Sequence, residues 1–83
     1  PAKVEGNWQL GDGELSLKQT YQMLSGTLTR AGGTVPVANG KLQGDRISFN
    51  IGGLLYTGRV VGNSMDGTIS SGGNWKATRS AKP

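Results

Sequence analysis

Two residue types are missing from this 83-residue chain altogether: there is no Cys and no His. Without Cys, neither a disulfide framework nor a thiolate metal site can staple the fold, and the redox compartment leaves no mark on the sequence. Without His, the commonest metal ligand and the commonest general base are both gone, and a Ser-His-Asp nucleophile is excluded outright. Acidic residues are scarce too: Glu5, Asp12, Glu14, Asp45 and Asp66. A hydrolase working through paired carboxylates needs two of them to converge in a cleft. Asp12 and Asp45 instead fall in turn segments, where such side chains cap the backbone. No apolar run approaches the roughly 18 residues that span a bilayer as a helix, and no signal peptide is legible. No membrane partner is expected. The missing initiator Met is what a processed or excised piece of a longer protein would show.

What is abundant is Gly, 15 residues of the 83, far above its usual share near 7%. The glycines separate short apolar runs, which is the composition of a chain with many tight turns. At this length a single domain, residues 1–83, is expected, with residues 1–3 and 80–83 as flexible tails. Its core can supply only roughly 3 to 5 kcal/mol of net stability. Nine basic residues against five acidic ones give a net charge of +4, enough for solubility and a weak pull on polyanions. They are spread almost evenly from Lys3 to Lys82 and read as solvated faces.

The apolar pattern has a period of two almost throughout, the mark of half-buried strands. Val4, Gly6, Trp8 and Leu10 alternate with polar residues, and Gly11-Asp12-Gly13 turns the chain. Leu15, Leu17, Gln19 and Tyr21 make a second inward row, and Leu24, Gly26 and Leu28 a third. The junction between them, near Gln22-Met23, carries the weakest turn signal, so a single long bent strand stays open there. A fourth strand, about residues 34–43, contains Pro36 and an Asn39-Gly40 pair that reads as a bulge. Ile47, Phe49 and Ile51 alternate most cleanly of all. Strands six to eight follow with Tyr56, Gly58 and Val60, then Met65, Gly67 and Ile69, then Trp75, Ala77 and Arg79.

Turn signals recur about every ten residues, the spacing of an antiparallel meander, and no segment carries a helical apolar repeat. Gly sits mid-strand in Ser25-Gly26-Thr27-Leu28, Thr57-Gly58-Arg59-Val60 and Asp66-Gly67-Thr68-Ile69. Such a Gly weakens a strand unless the backbone must bend or approach another closely, as in a tightly curved barrel. The tripeptide Gly6-Asn7-Trp8 returns as Gly73-Asn74-Trp75. If eight strands alternate in direction, the first and last are antiparallel and can close the sheet. The expectation is an all-β, eight-stranded up-and-down barrel sealed by Gly6, Trp8, Trp75 and Arg79, with Arg79 over the ring of Trp8. A two-sheet sandwich is the structural alternative. Eight strands enclose a space just filled by side chains, so little room is left for a ligand.

Single-stranded nucleic acid sites pair a positive groove with exposed aromatics. Here Tyr21, Tyr56, Trp8 and Trp75 all fall in register with the apolar face, which argues against a nucleic-acid partner. The short glycine pairs are also wrongly placed for phosphate loops, since no helix follows. The ordered segments Pro1-Ala2-Lys3-Val4-Glu5-Gly6-Asn7-Trp8, Gln22-Met23-Leu24-Ser25-Gly26-Thr27-Leu28, Gly44-Asp45-Arg46-Ile47-Ser48-Phe49, Tyr56-Thr57-Gly58-Arg59-Val60, Met65-Asp66-Gly67-Thr68 and Trp75-Lys76-Ala77-Thr78-Arg79 give a further lead. Together they make the chain resemble the small C-terminal β domain of certain bacterial S-adenosylmethionine-dependent methyltransferases. That resemblance implies a non-catalytic accessory domain that stabilises a catalytic methyltransferase domain in the same parent chain or assists its substrate binding. S-adenosylmethionine is then a cofactor of the parent, with no catalytic, cofactor-binding or metal residue in this domain, and the parent is cytoplasmic or exported. The Gly-x-Trp opening and late Arg are also similar to the lipocalin barrel, although this chain lacks the length for a ligand cup. The alternative function is a free-standing binding module for a small ligand or an anionic polymer such as single-stranded nucleic acid.

Overall fold

The computed structural model describes residues 3–80, and every regular element among them is a strand. In chain order these are β1 (Gly6–Leu10), β2 (Gly13–Thr20), β3 (Met23–Arg30), β4 (Gly33–Gln43), β5 (Arg46–Ile51), β6 (Leu54–Val61), β7 (Ser64–Ile69) and β8 (Asn74–Arg79). Each pairs antiparallel with the next, and β8 returns to pair with β1, so the sheet closes into an up-and-down barrel. A barrel, not a sandwich, is the outcome. Closure satisfies the backbone groups that an open sheet would expose along its edges. The interior is hydrocarbon and aromatic: Val4, Trp8, Leu15, Leu28 and Phe49 have no exposed surface, and no polar or charged side chain is buried among the described residues.

The turns explain where the strands stop. Gly11, Gly44, Gly52 and Gly62 each open a two-residue turn with φ between 60° and 62°. Such hairpins need the left-handed conformation at this position because its twist matches that of the flanking strands. The β2–β3 turn has the same geometry without the glycine. Tyr21 takes that first position with φ 58° and projects into solvent, 92% exposed. Here the expectation of an inward Tyr21 is corrected: Thr20 already pairs with Met23 across the hairpin, so the alternation ends one residue before the tyrosine. The two strands are separate, and the inward row of β2 finishes on Gln19. Its side-chain oxygen accepts from the Val4 amide at 2.9 Å, and its amide nitrogen donates to the Tyr21 carbonyl.

A bulge governs β4. Its register against β5 shifts between Ala38 and Lys41, and Asn39 has φ 54°, so the Asn39-Gly40 bulge is present as expected. An extra residue flips the parity of every side chain after it. Val37 faces the core before the bulge and Leu42, 2% exposed, faces it afterwards; the strict alternation read from the sequence overlooked Leu42. The mid-strand glycines mark close backbone approach. A Cβ on Gly26 would overlap the carbonyl oxygen of Ser16, and one on Gly58 would overlap that of Asp66.

The start of β1 and the end of β8 lie at the same end of the barrel. Of the expected tails, residues 1–2 and 81–83 lie outside the described residues. Lys3 and Ser80 are tied in: the Lys3 carbonyl accepts from Arg79, and the Ser80 amide donates to the Asn7 carbonyl at 2.9 Å.

Candidate functional site

The β1–β8 seam is short, with Trp8, Gln9 and Leu10 opposite Arg79, Thr78 and Ala77. The β2–β3 ladder runs through seven such pairs. A thin seam needs reinforcement, and Arg79 supplies it. Its guanidinium carbon lies 4.5 Å from the centroid of the Trp8 ring. Nη1 donates to the Glu5 carbonyl at 3.0 Å, Nη2 to the Lys3 carbonyl at 3.0 Å, and Nε to Asn63 Oδ1 at 3.2 Å. The planar fork thus ties β8 to the entry of β1 and to the β6–β7 turn. Gly6 is what leaves space for it: a Cβ there would sit 2.9 Å from Arg79 Nη1, and φ is 128°. Beneath the arginine the Trp8 indole donates to the Val4 carbonyl at 2.9 Å. Trp8 therefore keeps its polar edge satisfied in a buried setting.

Trp75 does not meet Trp8. It fills the opposite end of the barrel, where its ring stands edge-on to Phe49 at 5.4 Å and to Tyr56 at 6.0 Å, while Phe49 and Tyr56 stack at 5.3 Å. Its indole N–H donates to the Thr57 carbonyl at 3.0 Å. The two copies of the tripeptide thus seal different ends, and their glycines differ in role. A Cβ on Gly73 would make only ordinary contact with Ile69. Around Trp75 the barrel mouth is an open depression rimmed by Leu10, Asp12, Arg30 and Lys76.

The outer face of β4 to β8 is a third feature. Cross-strand pairing lines up Gln43, Arg46, Arg59, Asp66 and Lys76 in one row. The next row is Lys41, Ser48, Thr57, Thr68 and Asn74. Four of the nine basic residues, Lys41, Arg46, Arg59 and Lys76, are therefore brought by the register onto one face. Between the long side chains the small hydroxyls leave an open depression of about 390 Å³ over Ser48, Thr57 and Gly58. Asp45 lies 3.9 Å from Arg59 in a solvent-exposed ion pair.

Comparison of the chain with protein-family models, with curated proteins and with solved structures finds no match. The arrangement itself must carry the reading. Arg79 and both indoles are committed to backbone acceptors, so the seam is structural chemistry. Of the four aromatics considered for base stacking, Trp8, Tyr56 and Trp75 are buried and Tyr21 stands out from a turn. The carboxylates are dispersed: Glu5 accepts from the Gln19 amide, Asp12 and Asp45 occupy turns, Glu14 faces out from β2, and Asp66 faces Arg59 and Lys76. No group of three potential metal ligands occurs among the described residues.

Proposed function

We propose that this chain is a non-catalytic accessory barrel of an S-adenosylmethionine-dependent methyltransferase, acting on the parent enzyme through its outer surface. The observation that carries the reading is the filled interior: Trp8, Phe49, Tyr56 and Trp75 occupy the space in which a small-ligand barrel would hold its cargo. With the inside closed, the exterior is what can meet a partner. Support for the parent enzyme comes from the ordered motifs between Pro1 and Arg79 that resemble the C-terminal domain of such methyltransferases.

In this reading the cofactor belongs to the parent enzyme and not to the barrel. S-adenosylmethionine is held by a Gly-rich turn between a strand and a helix in nucleotide-binding sheets, and the described residues form only strands and the turns between them. Calorimetric titration of the isolated chain should accordingly give no binding tighter than about millimolar, roughly 4 kcal/mol. Tighter binding would refute the accessory role. In the parent, a strand, a Gly-rich turn and an acidic residue on the following strand are expected upstream of Pro1. Deleting the barrel is expected to lower the melting temperature of the enzyme or raise KM for the methyl acceptor, leaving cofactor affinity unchanged.

A further inference from the structure

We propose that the outer face of β4 to β6 is a binding site for a phosphoryl group, held by Arg46, Arg59 and Lys41 above the hydroxyls of Ser48 and Thr57. The site goes beyond the accessory role and does not depend on it.

The starting observation is a pairing that sheet physics disfavours. Arg46 stands directly opposite Arg59 across the β5–β6 ladder, and like charges so placed destabilise a sheet. Elsewhere in the same row the signs alternate, with Arg59 facing Asp66 and Asp66 facing Lys76. Among the described residues this is the single directly opposed pair of like charges. Packing does not require it, because both side chains are exposed. The Arg46 side chain makes no ion pair or hydrogen bond among the described residues. Arg59 has only the Asp45 carboxylate, at 3.9 Å.

An anion placed between the two guanidinium groups turns that repulsion into attraction, and each planar fork can donate two parallel hydrogen bonds to it. Lys41 pairs with Ser48 one outward position along from Arg46. Diagonal neighbours on one sheet face are about 7 to 8 Å apart, within reach of side chains of this length. Ser48 and Thr57 are themselves directly opposed, so two hydroxyl donors stand on the floor of the depression. Three cations and two hydroxyls exceed what the two oxygens of a carboxylate can accept, and they suit the three or more oxygens of a phosphoryl group. Asp45 draws on Arg59, and Asp66 stands opposite it, so Arg46 and Lys41 carry most of the affinity.

The test is titration of pyrophosphate into isotopically labelled protein at constant ionic strength, followed by amide chemical shifts, with sodium chloride as the control. Shifts are expected at Ser48, Thr57 and Gly58. Arg46→Gln, on an exposed strand position, should weaken binding by about tenfold, while Lys18→Gln on the far side of the barrel leaves it unchanged. A short oligothymidylate separates the two sources of such a group. Much tighter binding, with shifts continuing to Lys76, identifies the backbone of a nucleic-acid strand, and equal affinity identifies a small phosphorylated ligand. Shifts that follow ionic strength alone, or an Arg46→Gln variant that binds pyrophosphate as the parent does, overturn the site.

Discussion

Removing the Arg79 side chain tests how the barrel is closed. Arg79→Ala deletes a cation lying 4.5 Å from the Trp8 ring centre and three hydrogen bonds, to the carbonyls of Lys3 and Glu5 and to Asn63. The ring contact is worth about 0.5 to 2 kcal/mol depending on burial. Hydrogen bonds from a charged donor are worth about 1.5 to 3 kcal/mol each when sheltered and much less at a wet rim. With the guanidinium only half-buried, the combined loss should be about 2 to 3 kcal/mol, not the sum of the parts. For a domain of this size each kcal/mol moves the melting temperature by about 4 to 8 °C, so a drop of about 10 °C or more is expected in a thermal melt. Near-ultraviolet circular dichroism should change as well, because the guanidinium covers the indole. Arg79→Lys keeps a cation but loses the planar fork and should fall between the two. A variant melting within about a degree of the parent would show that Trp packing alone closes the β1–β8 seam.

Further substitutions probe the two places where the backbone departs from simple alternation. Leu42→Ala should cost about 2 to 5 kcal/mol and Lys41→Ala, exposed on the opposite face of β4 after the bulge, under about 0.5 kcal/mol, as read by chemical denaturation; equal costs would mean that the bulge does not flip the parity of β4. Tyr21→Gly should leave stability unchanged or raise it by up to about 1 kcal/mol, since relief of a left-handed non-glycine residue is offset by the freedom of Gly in the unfolded chain. Tyr21→Val, which puts a β-branched residue in that conformation, should lower the melting temperature, and a neutral result would remove the case for strain.

The closed meander was legible because Gly in turns and alternation in strands are both local signals. Strand five, with Ile47, Phe49 and Ile51 inward, needed nothing beyond its own six residues. What local pattern could not convey was phase. Tyr21 continues the apolar row of β2 on paper, yet the hairpin geometry claims it first, and the only sequence signal was the absence of Gly at a place where four other turns have one. Leu42 was hidden by the same kind of problem, since a bulge at Asn39 resets which residues face inward. The seam was half legible: Arg79 over Trp8 followed from strand order, whereas the role of Gly6 in making room for a guanidinium requires knowing where that side chain goes. The pairing of Arg46 with Arg59 depends on the register between strands, which is invisible in a chain where the two residues are far apart.

Because β1 and β8 are antiparallel neighbours whose outer ends point the same way, the barrel has a definite weak direction under tension. A pull on the two ends does not shear the seam, which would load its hydrogen bonds together. It peels the strands apart, so each bond takes the load in turn. The bonds of Arg79 to the Lys3 and Glu5 carbonyls come first in that order, so the arginine acts as the clasp of a zipper. Once it releases, only three residue pairs of the seam remain to be opened. Held between two anchored neighbours, such a barrel is expected to yield at low force, by opening at the seam before any other strand pair gives way.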